Sequence, residues 1–182
     1  MTADPALPKP ASGIADTGLV ILRVGLAAAI LQGGIIKASD FSTTVGYMAE
    51  GGWRLPALAA FMVTATEVLG SIGLLLGALT PLAACGVLSA MACAWAVNVS
   101  GEAVWSNPFN VPFLLALGAA TLLFTGAGSY SVDRRLLRRV NWPKPLVLGL
   151  LVVAFGAAVL TWVALYGVNP IHFSTPAGAP AH

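Results

Sequence analysis

Charge is scarce in this sequence: nine basic and seven acidic residues among 182, or 9%, where a soluble domain carries about 25%. An ordinary water-soluble globule is excluded. Cysteine is nearly absent too, with Cys85 and Cys93 in a single apolar run. Eight residues apart on a helix they stand about 12 Å apart along the axis, beyond the reach of a disulfide. With no Cys-x-x-Cys pair, thiol-pair redox chemistry is excluded as well, and both read as small core residues. The two histidines, His172 and His182, are isolated in a proline-bearing tail, so no metal site is expected. Phosphate loop, hydrolytic triad and dinucleotide fingerprint are all missing, and no nucleic-acid partner is expected.

Apolar sequence is abundant: 58% of residues are hydrophobic and mean hydropathy is +0.87. Crossing a hydrocarbon core takes roughly 20 residues. Five runs qualify, at about 17–36, 56–79, 82–99, 109–125 and 145–168. The fold class expected is therefore an all-α membrane protein with one membrane domain. The first run has no small-residue cleavage site behind a short apolar core and reads as a retained span. Residues 1–16, with Pro5, Pro8 and Pro10, read as a mobile or extended tail, and 169–182 as an irregular one. Between the first two runs, Phe41, Val45, Met48 and Ala49 recur at helical spacing in a segment too polar to span. That pattern predicts a short amphipathic helix at the surface, with Trp53 at headgroup depth and Pro56 in the first turn of the next span.

With five crossings, Lys9, Arg134, Arg135, Arg138, Arg139 and Lys144 share one side, and Lys37 and Arg54 the other. The side with more basic residues should be cytoplasmic, placing the N-terminus inside and the C-terminus outside.

Glu67 sits in the middle of the second run, beside Gly70, Gly73 and Gly77. An ionisable group at that depth is costly and normally faces protein or a water-filled cavity. It reads either as a functional acid or as a polar contact between helices. Thr66, Gly70, Gly73 and Gly77 form a small-residue stripe along which another helix can pack closely. In the first run Arg23, Ala27, Ile30, Gly34 and Lys37 lie on one stripe, and Gln32 lies opposite Arg23. Counted from the cytoplasmic ends, Glu67 is about 20 Å deep, Gln32 about 22 Å and Arg23 about 9 Å. The expectation is a neutral Glu67 hydrogen-bonded to Gln32, at even weight with an ion pair to Arg23. Gly118, Thr121 and Thr125 form a further stripe, read as a packing face. Arg134, Arg135, Arg138 and Arg139 around Leu136 and Leu137 suit a short helix on the cytoplasmic face. Anionic lipid explains that cluster at about 1 kcal/mol per basic residue, with a soluble partner as the second reading.

Four pieces in order resemble the DoxX family of bacterial membrane proteins. They are Leu22-Arg23-Val-Gly-Leu, Gln32-Gly-Gly-Ile-Ile-Lys37 with Phe41, Glu67-Val-Leu-Gly-Ser-Ile-Gly-Leu-Leu-Leu-Gly-Ala-Leu-Thr80, and Thr125-Gly-Ala-Gly-Ser-Tyr-Ser-Val-Asp133. The resemblance implies a four-helix transmembrane bundle with an interfacial amphipathic segment over about 17–140, to which 145–168 adds a fifth transmembrane helix. It implies the inner membrane of a bacterial cell. It also implies a link to oxidoreductase assemblies, because relatives serve as the membrane subunit of a thiosulfate:quinone oxidoreductase. Gln32 stands where the family often has histidine, and Pro81 where a basic residue is often seen.

The function expected is an accessory membrane subunit of a larger respiratory or quinone-linked oxidoreductase complex, with lipids and other membrane subunits as partners. The residues show no self-contained catalytic site and no directly bound cofactor; a quinone is a possible ligand. The alternatives are a small transporter or channel with Glu67 in a polar path, and a quinone-reacting subunit.

Overall fold

The computed structural model describes residues 13–100, 103–138, 142–166 and 173–174. Among these the chain is helical with no strand. The helices are α1 (Gly13–Ser39), α2 (Phe41–Glu50), α3 (Pro56–Leu76), α4 (Thr80–Ser100), α5 (Val111–Thr125), α6 (Val132–Leu136) and α7 (Lys144–Thr161), the last continued by a π-helical turn, Trp162–Tyr166. Helices α1, α3, α4 and α7 with its π-turn are long and apolar enough to cross a membrane, and α5 is a shorter apolar helix. This is an all-α membrane bundle.

The local signals that start and stop these helices are conventional. Asp40 caps α2 by accepting from the Thr43 amide, and Asn110 caps α5 by accepting from the Phe113 amide. Pro56 occupies the first turn of α3, where its missing N–H has no helical partner to lose. α3 stops at Leu76, three residues before the end of the apolar run. Gly77 turns left-handed there (φ 62°), and the Ala78 and Gly77 amides return to Gly73 and Leu74.

Five apolar helices alternate in direction. One end of the bundle gathers the start of α1, the α3–α4 turn, the end of α5, α6 and the start of α7. There Asp16 accepts from the Ser129 amide and Arg23 donates to the Tyr130 carbonyl. Cys85, early in α4, donates to Leu150, early in α7, so these two helices run parallel. The opposite end gathers α2, the 103–110 loop and the π-turn. The Arg54 amide donates to Leu165, the Trp95 indole donates to Pro108, and Trp53, Tyr166 and Trp162 stack in series at 5.1 and 4.4 Å.

α1, α3, α4 and α5 form a four-helix ring, and α7 packs on the outer side of α4. The core between them is built from Leu26, Ile30, Leu74, Val87, Leu88, Met91, Leu122 and Leu123. Large apolar side chains on the outer surfaces, such as Ile21, Leu69, Leu117 and Val152, are exposed, as a bilayer-facing surface requires.

The stripe on α5 differs from expectation. Gly118 does pack, against Leu26, but Thr121 and Thr125 are exposed. Their hydroxyls return to the Leu117 and Thr121 carbonyls, which satisfies them on an outward face without another helix. α6 is the expected short surface helix, with Arg134, Arg135 and Arg138 exposed on it or just beyond. Arg139, His172, His182, Lys9 and most of both tails lie outside the described residues.

Candidate functional site

The two glycines Gly33 and Gly34 set where α1 and α3 meet. A methyl at Gly34 would stand 2.9 Å from Val68 Cγ2 and 3.1 Å from the Val68 amide nitrogen, so the α3 backbone lies directly against this position. Close approach carries Glu67 into the seam, and Lys37, one turn beyond Gly33, folds back to meet it. Lys37 Nζ donates to Glu67 Oε2 at 2.7 Å and approaches the Gly33 carbonyl at 3.4 Å. This is the one ion pair among the described residues, with 7% of the Glu67 side chain and 30% of the Lys37 side chain exposed.

The partner of Glu67 is therefore Lys37, and neither Gln32 nor Arg23. Gln32 is near the right depth but exposed; two residues from Gly34 it points about 200° round the helix, away from α3. Arg23 shares the buried stripe with Lys37 but lies at the opposite end of the bundle, where its Nη2 donates to the Tyr130 carbonyl at 2.6 Å. Depth alone favoured Gln32. Azimuth decides, and the stripe Ala27, Ile30, Gly34, Lys37 already carried that signal.

Of the small-residue stripe on α3, Thr66, Gly70 and Gly73 face α4, and Gly77 does not. A methyl on Gly70 would meet Val87 at 2.7 Å, and one on Gly73 would meet Ala83 at 2.8 Å. Thr66 lies across from Gly86. Gly77 belongs to the turn, where a methyl would collide with the Arg23 guanidinium and Ser131.

That turn depends on a residue to which sequence reasoning gave no role. Asp133, 2% exposed, accepts from the Leu79 amide at 2.7 Å and the Thr80 amide at 2.9 Å, while its own amide donates to the Gly77 carbonyl at 2.9 Å. A carboxylate at the start of α4 satisfies two amides that the helix cannot, in a position its dipole favours. Leu79, held at φ 47°, is fixed between these contacts. Ser131 donates to the Gly128 carbonyl and accepts from the Arg134 amide, so α6 starts from the same knot with its arginines turned outward. The only local signal is Ser131 two residues before the acid, an ordinary helix cap.

Between α3 and α4, from Leu82 and Cys85 towards α2, with Ile30 of α1 and Leu115 of α5 also contributing, lies a cavity of about 830 Å³. Its walls include Ala59, Met62 and Val63 of α3 and Ser89, Cys93 and Val97 of α4. Tyr47, Met48, Gly51 and Trp53 cover the α2 end, and Val153, Ala154, Ala157 and Thr161 come from α7. Lys37 and Glu67 both reach its wall. The lining is mainly apolar, with Thr66, Ser89, Asn98 and Thr161 as polar residues beside the charged pair.

The DoxX family model matches residues 18–100, a stretch that contains Gly33, Gly34, Lys37, Glu67 and the glycine contacts of α3. Over 126 residues the chain is 33% identical to a protein described as Inner membrane protein YphA of Escherichia coli (strain K12), a match covering 64% of this chain and 89% of that one. No solved structure matches the chain.

Proposed function

The chain belongs to the DoxX family of membrane proteins, and from that premise we propose that it is an integral subunit of a larger quinone-linked oxidoreductase complex, holding a quinone head beside Lys37 and Glu67. The observation that carries this reading is the ion pair on the wall of a mainly apolar cavity. Ammonium has three donors; Glu67 takes one and the Gly33 carbonyl a second, weaker one, leaving one for a ligand carbonyl. Electrons come from a partner subunit, since the chain offers only positioning and hydrogen bonding. The location proposed is a bacterial inner membrane with the Asp133 end cytoplasmic, the side of Arg134, Arg135, Arg138 and Lys144.

A through path for a transporter finds less support. On the α6 side of Glu67, Gly70 and Gly73 bring α3 against Val87 and Ala83 of α4, which narrows the seam between the two helices there.

The test has two parts. Purification in mild detergent should recover other membrane subunits, and a short-chain benzoquinone should quench tryptophan fluorescence, because Trp53 lines the cavity. Glu67→Gln should weaken the quenching while leaving assembly intact. A lone protein that shows no quenching would sink the proposal.

A further inference from the structure

Resting on the reading of the cavity above, we infer that it is loaded sideways from the bilayer, through the gap between α3 and α7, with a single-chain lipophile whose head offers a hydrogen-bond acceptor to Lys37. The gap follows from the packing. α3 and α7 each pack against α4 and make no substantial contact with each other. Met62 of α3 and Val153 of α7 line the cavity and are 38% and 57% exposed, so the cavity is open where these two helices face each other. Met62 is six residues into α3 and Val153 nine into α7, or about 9 and 14 Å from the helix ends. Both depths lie inside a hydrocarbon layer roughly 30 Å thick.

The α2 end is covered by a helix and a loop. Tyr47, Met48, Gly51 and Trp53 roof the cavity, and Trp53 is held down by its stack on Tyr166, itself stacked on Trp162. The Arg54 amide bond to Leu165 ties the same loop to α7. The α3–α7 gap is the entry that opens at hydrocarbon depth.

The cavity also describes its occupant. Its α4 lining runs from Leu82 to Asn98, about 24 Å along the helix, which suits an extended alkyl or prenyl chain. Its volume of about 830 Å³ is that of a small-molecule site. α7 supplies small residues, Ala154 and Ala157, where the chain passes, and lies wholly outside the 18–100 match. The fifth helix is thus one jamb of the doorway.

The experiment uses the full protein in vesicles of neutral phosphatidylcholine and a lipophilic aryl diazirine with no polar head, whose light-generated carbene is mapped by mass spectrometry. Insertion is expected at Cys93 and Ala157 as well as on outer residues. Ala157→Trp or Val153→Trp should cut Cys93 labelling roughly tenfold, while Val152→Trp, on the outer face (73% exposed), should leave it unchanged. A long-chain methyl ketone should displace the label at lower concentration than the alkane of equal length, and Lys37→Met should erase that difference. Absence of label at Cys93, equal labelling in the doorway and control variants, or equal potency of ketone and alkane overturns the inference. If Cys93 labels and the ketone competes but a benzoquinone does not, sideways loading stands and the quinone reading falls.

Discussion

Removing Lys37 should cost more than removing Lys37 and Glu67 together. Their charges meet at 2.7 Å with the Glu67 side chain 7% exposed, so neutralising Lys37 strands a carboxylate in a low-dielectric seam. Breaking a buried pair in this way costs about 3–5 kcal/mol, whereas replacing both partners with apolar groups is often neutral or stabilising by about 1–4 kcal/mol. Because 30% of the Lys37 side chain remains exposed, partial screening places Lys37→Met near the low end, about 3 kcal/mol. At roughly 2–4 °C per kcal/mol for a chain of this size, the midpoint should fall by about 6–12 °C. Glu67→Met alone strands an ammonium that can partly withdraw towards the α2 surface, so its cost should be smaller. The double substitution should recover most of the loss. Unfolding in mixed detergent–SDS micelles, followed by circular dichroism for the four proteins of the cycle, gives the coupling energy directly. A Lys37→Met cost below about 1 kcal/mol would mean the pair behaves as an exposed surface ion pair, and the argument for a dry, charged cavity wall would be wrong.

Asp133→Ala should destabilise the protein by about 2–6 kcal/mol, since two helix-start amides lose their acceptor at about 1–3 kcal/mol each; Asp133→Asn, which keeps one carbonyl, should cost about half, both read in the same SDS titration. Gly34→Ala should cost about 1–3 kcal/mol, because its methyl meets the Val68 backbone, whereas Gly25→Ala, with nothing within 4 Å, should stabilise α1 by about 0.5–1 kcal/mol. Asp40 is held below its ordinary carboxylate value of 3.8 by the Thr43 hydroxyl and amide and by the Ser42 hydroxyl. Its cap therefore contributes fully above that ordinary value and is lost as pH falls through the depressed one. Protection of the α2 amides, relative to intrinsic exchange, should fall as pH drops through this window, and Asp40→Ala should abolish the step.

The spans, the surface helix and the close-packing glycines were legible because each is a one-dimensional pattern: hydropathy over a window, or small residues at helical spacing. Gly70 and Gly73 meet Val87 and Ala83 much as a stripe of small residues implies. Pairing was less legible. A count of residues from the membrane surface supplies depth but not direction, and Gln32 matched Glu67 in depth while facing away. Lys37 was counted as a surface charge at the end of a span, yet its long side chain reaches back to Glu67. Thr121 and Thr125 misled for a related reason: a threonine can satisfy its hydroxyl on its own helix, so a polar stripe does not demand a neighbour. Asp133 was out of reach, because its acceptors serve amides 53 and 54 residues earlier and no local pattern encodes that distance.

The Asp133 clasp also sets an order of events in time. The α3–α4 turn leaves the ribosome 53 residues ahead of the carboxylate that closes it, a gap of roughly 3–10 s at about 5–20 residues per second. During that interval the Leu79 and Thr80 amides have no protein acceptor, and Leu79 must hold its left-handed conformation unaided. A nascent chain halted near Ser100 should therefore carry an unlocked hairpin, and maturation should register as a single late step when Asp133 arrives. The family match, residues 18–100, ends before that step, so the first four helices await a latch that is made last.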